Sequence, residues 1–270
     1  MINVSKTYSY CFIFFIGMTS IPILKAQDFQ QVCKVKVSNI DKSVVDDFGN
    51  VFITNTQGDI QKINAKCEKT LVYSPTKTGI IKQIDIWSQF KIFALFEEFQ
   101  EFILLDRFLT TPVKYEFSTF NLGYISNATL NYQREIWVVD ESDFSLKLLN
   151  YESKNIITSQ QLNQYLDPTN HSIIGIKEFR GKLFIFDAIT GVLIFDNLGN
   201  FISKINAKGI NSFNFYGNNL NYFKDQKLFQ VSLKDLSQQQ LVKPNAQFDA
   251  LMKNKDSFYG LTKDRLTIYK

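Results

Sequence analysis

The feature that most limits how this chain can fold is a unit of four short apolar, β-branched and aromatic segments joined by tight turns. The first clear copy runs Ser43–Asp46, Val51–Asn55, Asp59–Asn64 and Cys67–Tyr73, with turns at Asp47–Asn50 and Gln57–Gly58. Further copies begin near Ile80, Tyr124, Ser172, Asn211 and Phe248, a spacing of roughly 40 residues that matches one four-stranded propeller blade. The last copy supplies three strands, ending in Arg265–Lys270, and Gln31–Ser38 is a spare strand ahead of the first copy. Five complete units, three strands and one spare strand add up to six blades. An N-terminal strand that completes the last blade also removes the open edge that would otherwise template aggregation. A sandwich or barrel would give short strands too, but not this period with a strand left over. The expected fold is therefore all-β: a six-bladed β-propeller over residues 27–270, closed by its N-terminal strand.

Composition agrees with a sheet protein. The chain has 26 Phe and 12 Tyr in 270 residues, and aromatic side chains suit a half-buried pleated surface. With 45% hydrophobic and 21% charged residues it can bury a core and is not disordered. Its charges are scattered without a basic run, so no nucleic-acid partner is expected.

Residues 1–26, MINVSKTYSYCFIFFIGMTSIPILKA, have the layout of a secretory signal peptide. Lys6 gives the positive start, Tyr8–Leu24 the apolar stretch, and Ala26 precedes a polar turn in composition at Gln27. An uncleaved anchor is the alternative, although Gly17 and Pro22 interrupt a stretch already short for spanning. Loss of Lys6 and Lys25 with the leader takes the formal charge from +4 to +2. No second apolar span follows, so no stable transmembrane segment is expected after cleavage. The reading is export in a Gram-negative bacterium, to the periplasm, the outer membrane or beyond. Cys33 and Cys67 could pair there. The ring reading, however, puts them on outer strands of neighbouring blades, beyond the Cα separation of about 7 Å that a disulfide spans. Two buried or half-buried thiols are expected, with a disulfide the alternative.

The segments Asp46-Asp-Phe-Gly-Asn50-Val-Phe-Ile and Phe195-Asp-Asn-Leu-Gly-Asn200-Phe-Ile resemble the turn-flanked strands of bacterial six-bladed propellers of the NHL-like kind. That resemblance implies the same ring architecture over the whole mature chain. It does not decide function, because propellers host enzymes and binders alike.

The usual catalytic devices are missing from the sequence. There is one histidine, His171, in the polar connection before the fourth copy, so a histidine-based lyase or esterase would have to rely on it alone. There is no nucleophile elbow, phosphate loop or Cys-x-x-Cys pair. A Ca2+-dependent hydrolase of the gluconolactonase-like kind would draw ligands from inner strands, where Asp85, Asn127, Glu178, Asn214 and Asp249 are the candidates. Several of these are expected to point outward or to end strands. Turns between second and third strands are rich in acids, among them Glu97, Glu98, Asp140, Glu141 and Asp143. An acidic face could steer a cationic partner or hold Ca2+. Phe99, Phe108 and Phe120 fall in turns, where burial is not automatic and exposed aromatics serve as interface anchors. Together these features read as a non-catalytic scaffold that binds a protein of the cell envelope, without a cofactor, through Phe99, Phe108, Phe120 and the turn acids. A Ca2+-dependent hydrolase or lactonase and a carbohydrate- or peptide-binding module are the alternatives.

Overall fold

The computed structural model describes residues 30–88, 91–131 and 133–270; the leader 1–26 lies outside the described residues. Twenty-four strands form six four-stranded antiparallel sheets. The first strand is β1 (Gln31–Lys36). Blade 1 is β2 (Ile40–Val45), β3 (Val51–Asn55), β4 (Ile60–Ile63) and β5 (Lys69–Tyr73). Blade 2 is β6 (Gln83–Ser88), β7 (Lys91–Phe96), β8 (Glu101–Asp106) and β9 (Val113–Glu116). Blade 3 is β10 (Ile125–Leu130), β11 (Glu135–Asp140), β12 (Ser145–Asn150) and β13 (Ile156–Gln161). Blade 4 is β14 (Ile173–Phe179), β15 (Lys182–Asp187), β16 (Gly191–Asp196) and β17 (Phe201–Ile205). Blade 5 is β18 (Ser212–Tyr216), β19 (Asn219–Lys224), β20 (Lys227–Ser232) and β21 (Gln238–Val242). Blade 6 starts with β22 (Ala250–Asn254), β23 (Ser257–Thr262) and β24 (Arg265–Tyr269). Its outer strand is β1, antiparallel to β24 with Lys36 opposite Arg265 and Cys33 opposite Ile268. The ring is a six-bladed β-propeller closed by its N-terminal strand. Among the described residues no helix is long and apolar enough to cross a membrane.

Local sequence explains the hairpins. An Asp or Asn ends the strand before each of six tight turns, at Asp46, Asn55, Asn64, Asp106, Asn131 and Asp196. In each, the side-chain oxygen accepts hydrogen bonds from the backbone N–H groups two and four residues on. That satisfies amides a bare turn would leave open. The residue three after the acid or amide takes positive φ: Gly49, Gly58 and Gly199, but also Cys67, Leu109 and Arg134.

The core is a set of layers between blades. Strands alternate their side chains to the two faces of each sheet, so each blade buries both faces against its neighbours. Phe93, Phe102 and Phe117 pack with Ile136 and Val138 between blades 2 and 3, for example. Side-chain amides pin one blade to another. The Gln100 amide accepts from the Ile125 N–H at 2.8 Å and donates to its C=O at 2.9 Å. Gln226 pairs in the same way with Phe248, and Asn214 with Lys253.

Cys33 and Cys67 form a disulfide, with Cα atoms 6.0 Å apart, which corrects the expectation of two free thiols. Cys67 lies in the turn between β4 and β5 rather than on the outer strand itself. That turn leans onto β1 of the neighbouring blade, so the distance between outer strands is not the one that matters.

Candidate functional site

The inner strands surround a cavity of about 890 Å3 along the propeller axis. It falls within the range of roughly 300–1,000 Å3 common for small-molecule sites. The walls come mainly from β2, β6, β14 and β18; blade 6 adds Asp249, Ala250, Leu261 and Thr262, and blade 3 a single residue, Leu130 of β10. The reason is a direct junction between blades 2 and 4. From β6, the Gln83 amide donates to the Ile176 C=O at 2.6 Å and accepts from the Ile176 N–H at 3.3 Å. These bonds shut the channel on the blade 3 side and leave it open towards blades 5, 6 and 1.

Beside that junction lies a buried polar set. The Lys177 ammonium of β14 reaches across to Asp85 Oδ1 of β6. Thr129 Oγ1 of β10 donates to Asp85 Oδ2 at 3.3 Å and accepts from the Glu178 N–H at 3.4 Å. Glu178 Oε1 in turn accepts from the Gly181 N–H at 2.7 Å. Burial holds the Glu178 carboxyl above the usual carboxylate range, against the opposing pull of the Gly181 N–H and of Lys177. Asn127, two residues before Thr129 on β10, is buried with neither amide atom hydrogen-bonded among the described residues. The rest of the lining mixes polar and apolar side chains, with the rings of Phe179, Phe213 and Phe215 on the blade 4–5 side. Phe179 stacks on Phe215 at 4.5 Å, and Phe213 on Phe186. Gly175 leaves room for Phe213, since a Cβ there would stand 3.1 Å from the ring.

Of the five inner-strand candidates, Asp85, Asn127, Glu178 and Asn214 are buried and only Asp249 is exposed at the rim. The expectation that several point outward is thus corrected. Asn214 is a blade clamp, and Asp85 is tied to Lys177. Among the described residues no cluster of three or more His, Cys, Asp or Glu is placed to hold a metal. Lys177 went unnoticed in the sequence. Its signal was there: adjacent Lys177 and Glu178 interrupt the otherwise apolar strand Ile173–Phe179.

The turn residues do not form one surface. Phe120 is 2% exposed and belongs to the core between blades 2 and 3, because Phe117–Phe120 coil into a 3-10 turn that tucks both rings inward. Phe99 is half-buried on Phe96, under the Lys77 ammonium at 3.5 Å. Phe108 is 53% exposed, but it lies on the opposite face, in the turn after β8. Asp140 is buried as a structural anchor. It accepts from the Gly123 and Ser142 N–H groups and pairs with Lys147 at 2.7 Å, while Asp143 meets the same lysine. Glu97 pairs with Lys82 at 2.9 Å, and Glu98 is exposed. Glu141 accepts from Ser126 Oγ at 2.6 Å and lies 3.4 Å from His171 Nε2. His171 packs on Phe144 and does not line the cavity.

No protein-family profile matches the chain, and no curated protein matches it in sequence. Solved structures do match in fold. Selenomethionine-substituted virginiamycin B lyase from Staphylococcus aureus superposes with a TM-score of 0.61 at 12% identity, covering 90% of this chain and 99% of that one. A catalytically inactive histidine-to-alanine variant of the same enzyme, solved with quinupristin, gives 0.56 at 14% identity with the same coverage. These neighbours are enzymes, which overturns the expectation of a non-catalytic scaffold: the fold gives that role no support. At such identity the comparison establishes one thing, that the chain is a six-bladed β-propeller of the architecture also found in virginiamycin B lyase.

Proposed function

We propose that this propeller receives a small organic molecule in its axial cavity and that the Lys177–Asp85–Glu178 set is the chemical end of that site. The observation that carries this reading is the Asp85–Lys177 pair at the cavity wall, its carboxylate buried and its ammonium half-buried. Taking a carboxylate such as Asp85 out of water costs several kcal/mol, which a single ion pair seldom repays in stability. Such pairs, together with a carboxyl shifted by burial, mark functional sites more often than packing alone explains. The arrangement suits acid–base work: burial raises the pKa of Glu178, and the neighbouring Lys177 is ion-paired to Asp85. A lyase runs on this architecture in the neighbours named above, and that is fold-level analogy only. His171 lies off the cavity, so the proposed site does not use it.

The test is a ligand-observed NMR screen of a fragment library against the wild-type protein and Ser43→Trp. Ser43 lines the cavity from β2 and makes no side-chain hydrogen bond among those the structure gives, so tryptophan there fills the channel with little loss of structure. Hits that disappear in Ser43→Trp, at an unchanged melting temperature, support the channel as the site. Hits that persist remove it.

We also propose that the protein works outside the cytosol. The Cys33–Cys67 disulfide supports this, since such bonds persist mainly in oxidising compartments, and residues 1–26 have the layout of an export signal. Intact-mass analysis of protein from the cell envelope should give a chain starting at Gln27. A full-length cytosolic chain with reduced cysteines would contradict it.

A further inference from the structure

Resting on the channel reading, we infer that the molecule it takes is an organic acid with an apolar or aromatic body, its anionic oxygen held by Lys177. The two members of the Asp85–Lys177 pair are not equally presented. The Asp85 side chain is 6% exposed and that of Lys177 is 19%. Asp85 has both oxygens engaged, one by Lys177 and one by Thr129 on the closed, blade 3 side. An ammonium has three donors, and Lys177 uses one of them, on Asp85. The pair therefore turns its anion towards the wall and its cation, with donors to spare, towards the cavity.

The other charges around the cavity leave that polarity in place. Asp41 meets the Lys42 ammonium through Oδ1 at 3.4 Å, although its Oδ2 is buried without a hydrogen-bond partner among the described residues. Asp46 is consumed by its own turn, accepting from Phe48, Asn50 and the Asn50 amide. Asp47 and Asp249 are exposed at the rims. Glu178 is the other buried carboxyl at the wall; its Oε1 is taken by the Gly181 N–H, and burial raises its pKa. Along the same strand and on the neighbouring β18, the rings of Phe179, Phe213 and Phe215 offer an apolar stretch of wall. A ligand with a carboxylate at one end and a ring or alkyl body at the other satisfies both sides. A cationic ligand would place its charge against Lys177.

Three probes of the same shape separate the charges: 4-phenylbutyrate, its neutral amide 4-phenylbutyramide, and the cation 4-phenylbutylamine. Dissociation constants are measured by NMR titration with wild type, Lys177→Met, Lys177→Arg and Ser43→Trp, with melting temperatures recorded for each. The acid should bind at least about ten-fold more tightly than the amine, should weaken by about ten-fold or more in Lys177→Met, and should keep most of its affinity in Lys177→Arg. Equal binding of acid and amine, or an unchanged acid affinity in a folded Lys177→Met, overturns the acid assignment. If at the same time Ser43→Trp still abolishes binding, the channel reading survives. Should Lys177→Met fail to fold, the ranking of the three probes on wild type decides by itself. Binding that persists in Ser43→Trp, or no binding of any probe at millimolar concentration, overturns the channel reading and the assignment together.

Discussion

Replacing both cysteines should cost this propeller a large share of its stability, because the disulfide staples the seam where the ring closes. β1 is held to blade 6 by hydrogen bonds to β24, and Cys33 on that strand is bonded to Cys67 in the outer turn of blade 1. The bond closes a loop of 34 residues, for which the loss of unfolded-chain entropy is about 4 kcal/mol at 25 °C. In a domain of this size that corresponds to a fall in Tm of roughly 8–16 °C. The assay is thermal unfolding of Cys33→Ser/Cys67→Ser against wild type, with and without dithiothreitol. Reductant should bring wild type down to the variant and leave the variant unmoved. A second variant checks the local geometry. Cys67 sits at φ 63° in a turn position that three equivalent turns fill with glycine, so Cys33→Ser/Cys67→Gly should be about 1 kcal/mol more stable than the double serine. Two titratable thiols in the denatured, unreduced mature protein would refute the reasoning, as would a shift under about 2 °C on reduction.

Other consequences follow from the same structure. Gln100→Leu leaves the N–H and C=O of Ile125 without their partner, and chemical denaturation should show a loss of about 2–4 kcal/mol. Tyr222 has a buried hydroxyl without a partner among the described residues, its pKa pushed up to about 12 by burial; Tyr222→Phe should stabilise by about 1 kcal/mol in the same assay. Glu178 has a folded pKa raised by burial, so the folded state binds its proton more tightly than the unfolded chain does. Its contribution to stability is therefore most favourable below the unfolded carboxyl value, about pH 4, and is lost as pH rises towards the folded value. Glu178→Gln should accordingly melt higher than wild type at neutral pH, and that advantage should vanish near about pH 4. A pH-independent difference would remove burial as the cause.

The ring was legible because its evidence is arithmetic: a period, a shortfall of one strand and a spare strand to fill it. The turns were only half legible. Gly49 and Gly199 stood out, yet the chemistry common to six turns is the leading Asp or Asn, which lets Leu109, Arg134 and Cys67 stand where glycine was sought. Phe120 misled because a turn in sequence became a 3-10 coil that buries its rings. The channel set was less legible for a different reason. Asp85, Thr129 and Lys177 come from three blades and are 92 residues apart at the ends, so no spacing along the chain links them. What brings them together is the Gln83 bridge across blade 3, a feature of the assembled ring.

The most direct test of the channel is to watch its walls while a ligand binds. In a sample labelled at isoleucine methyl groups, titration with 4-phenylbutyrate should shift Ile84, Ile173 and Ile176, which line the cavity, along one binding curve. Ile156, Ile157 and Ile202, exposed on the outer strands of blades 3 and 4, should stay still. Shifts confined to those outer methyls, with the cavity methyls unmoved, would place binding on the rim and contradict the account.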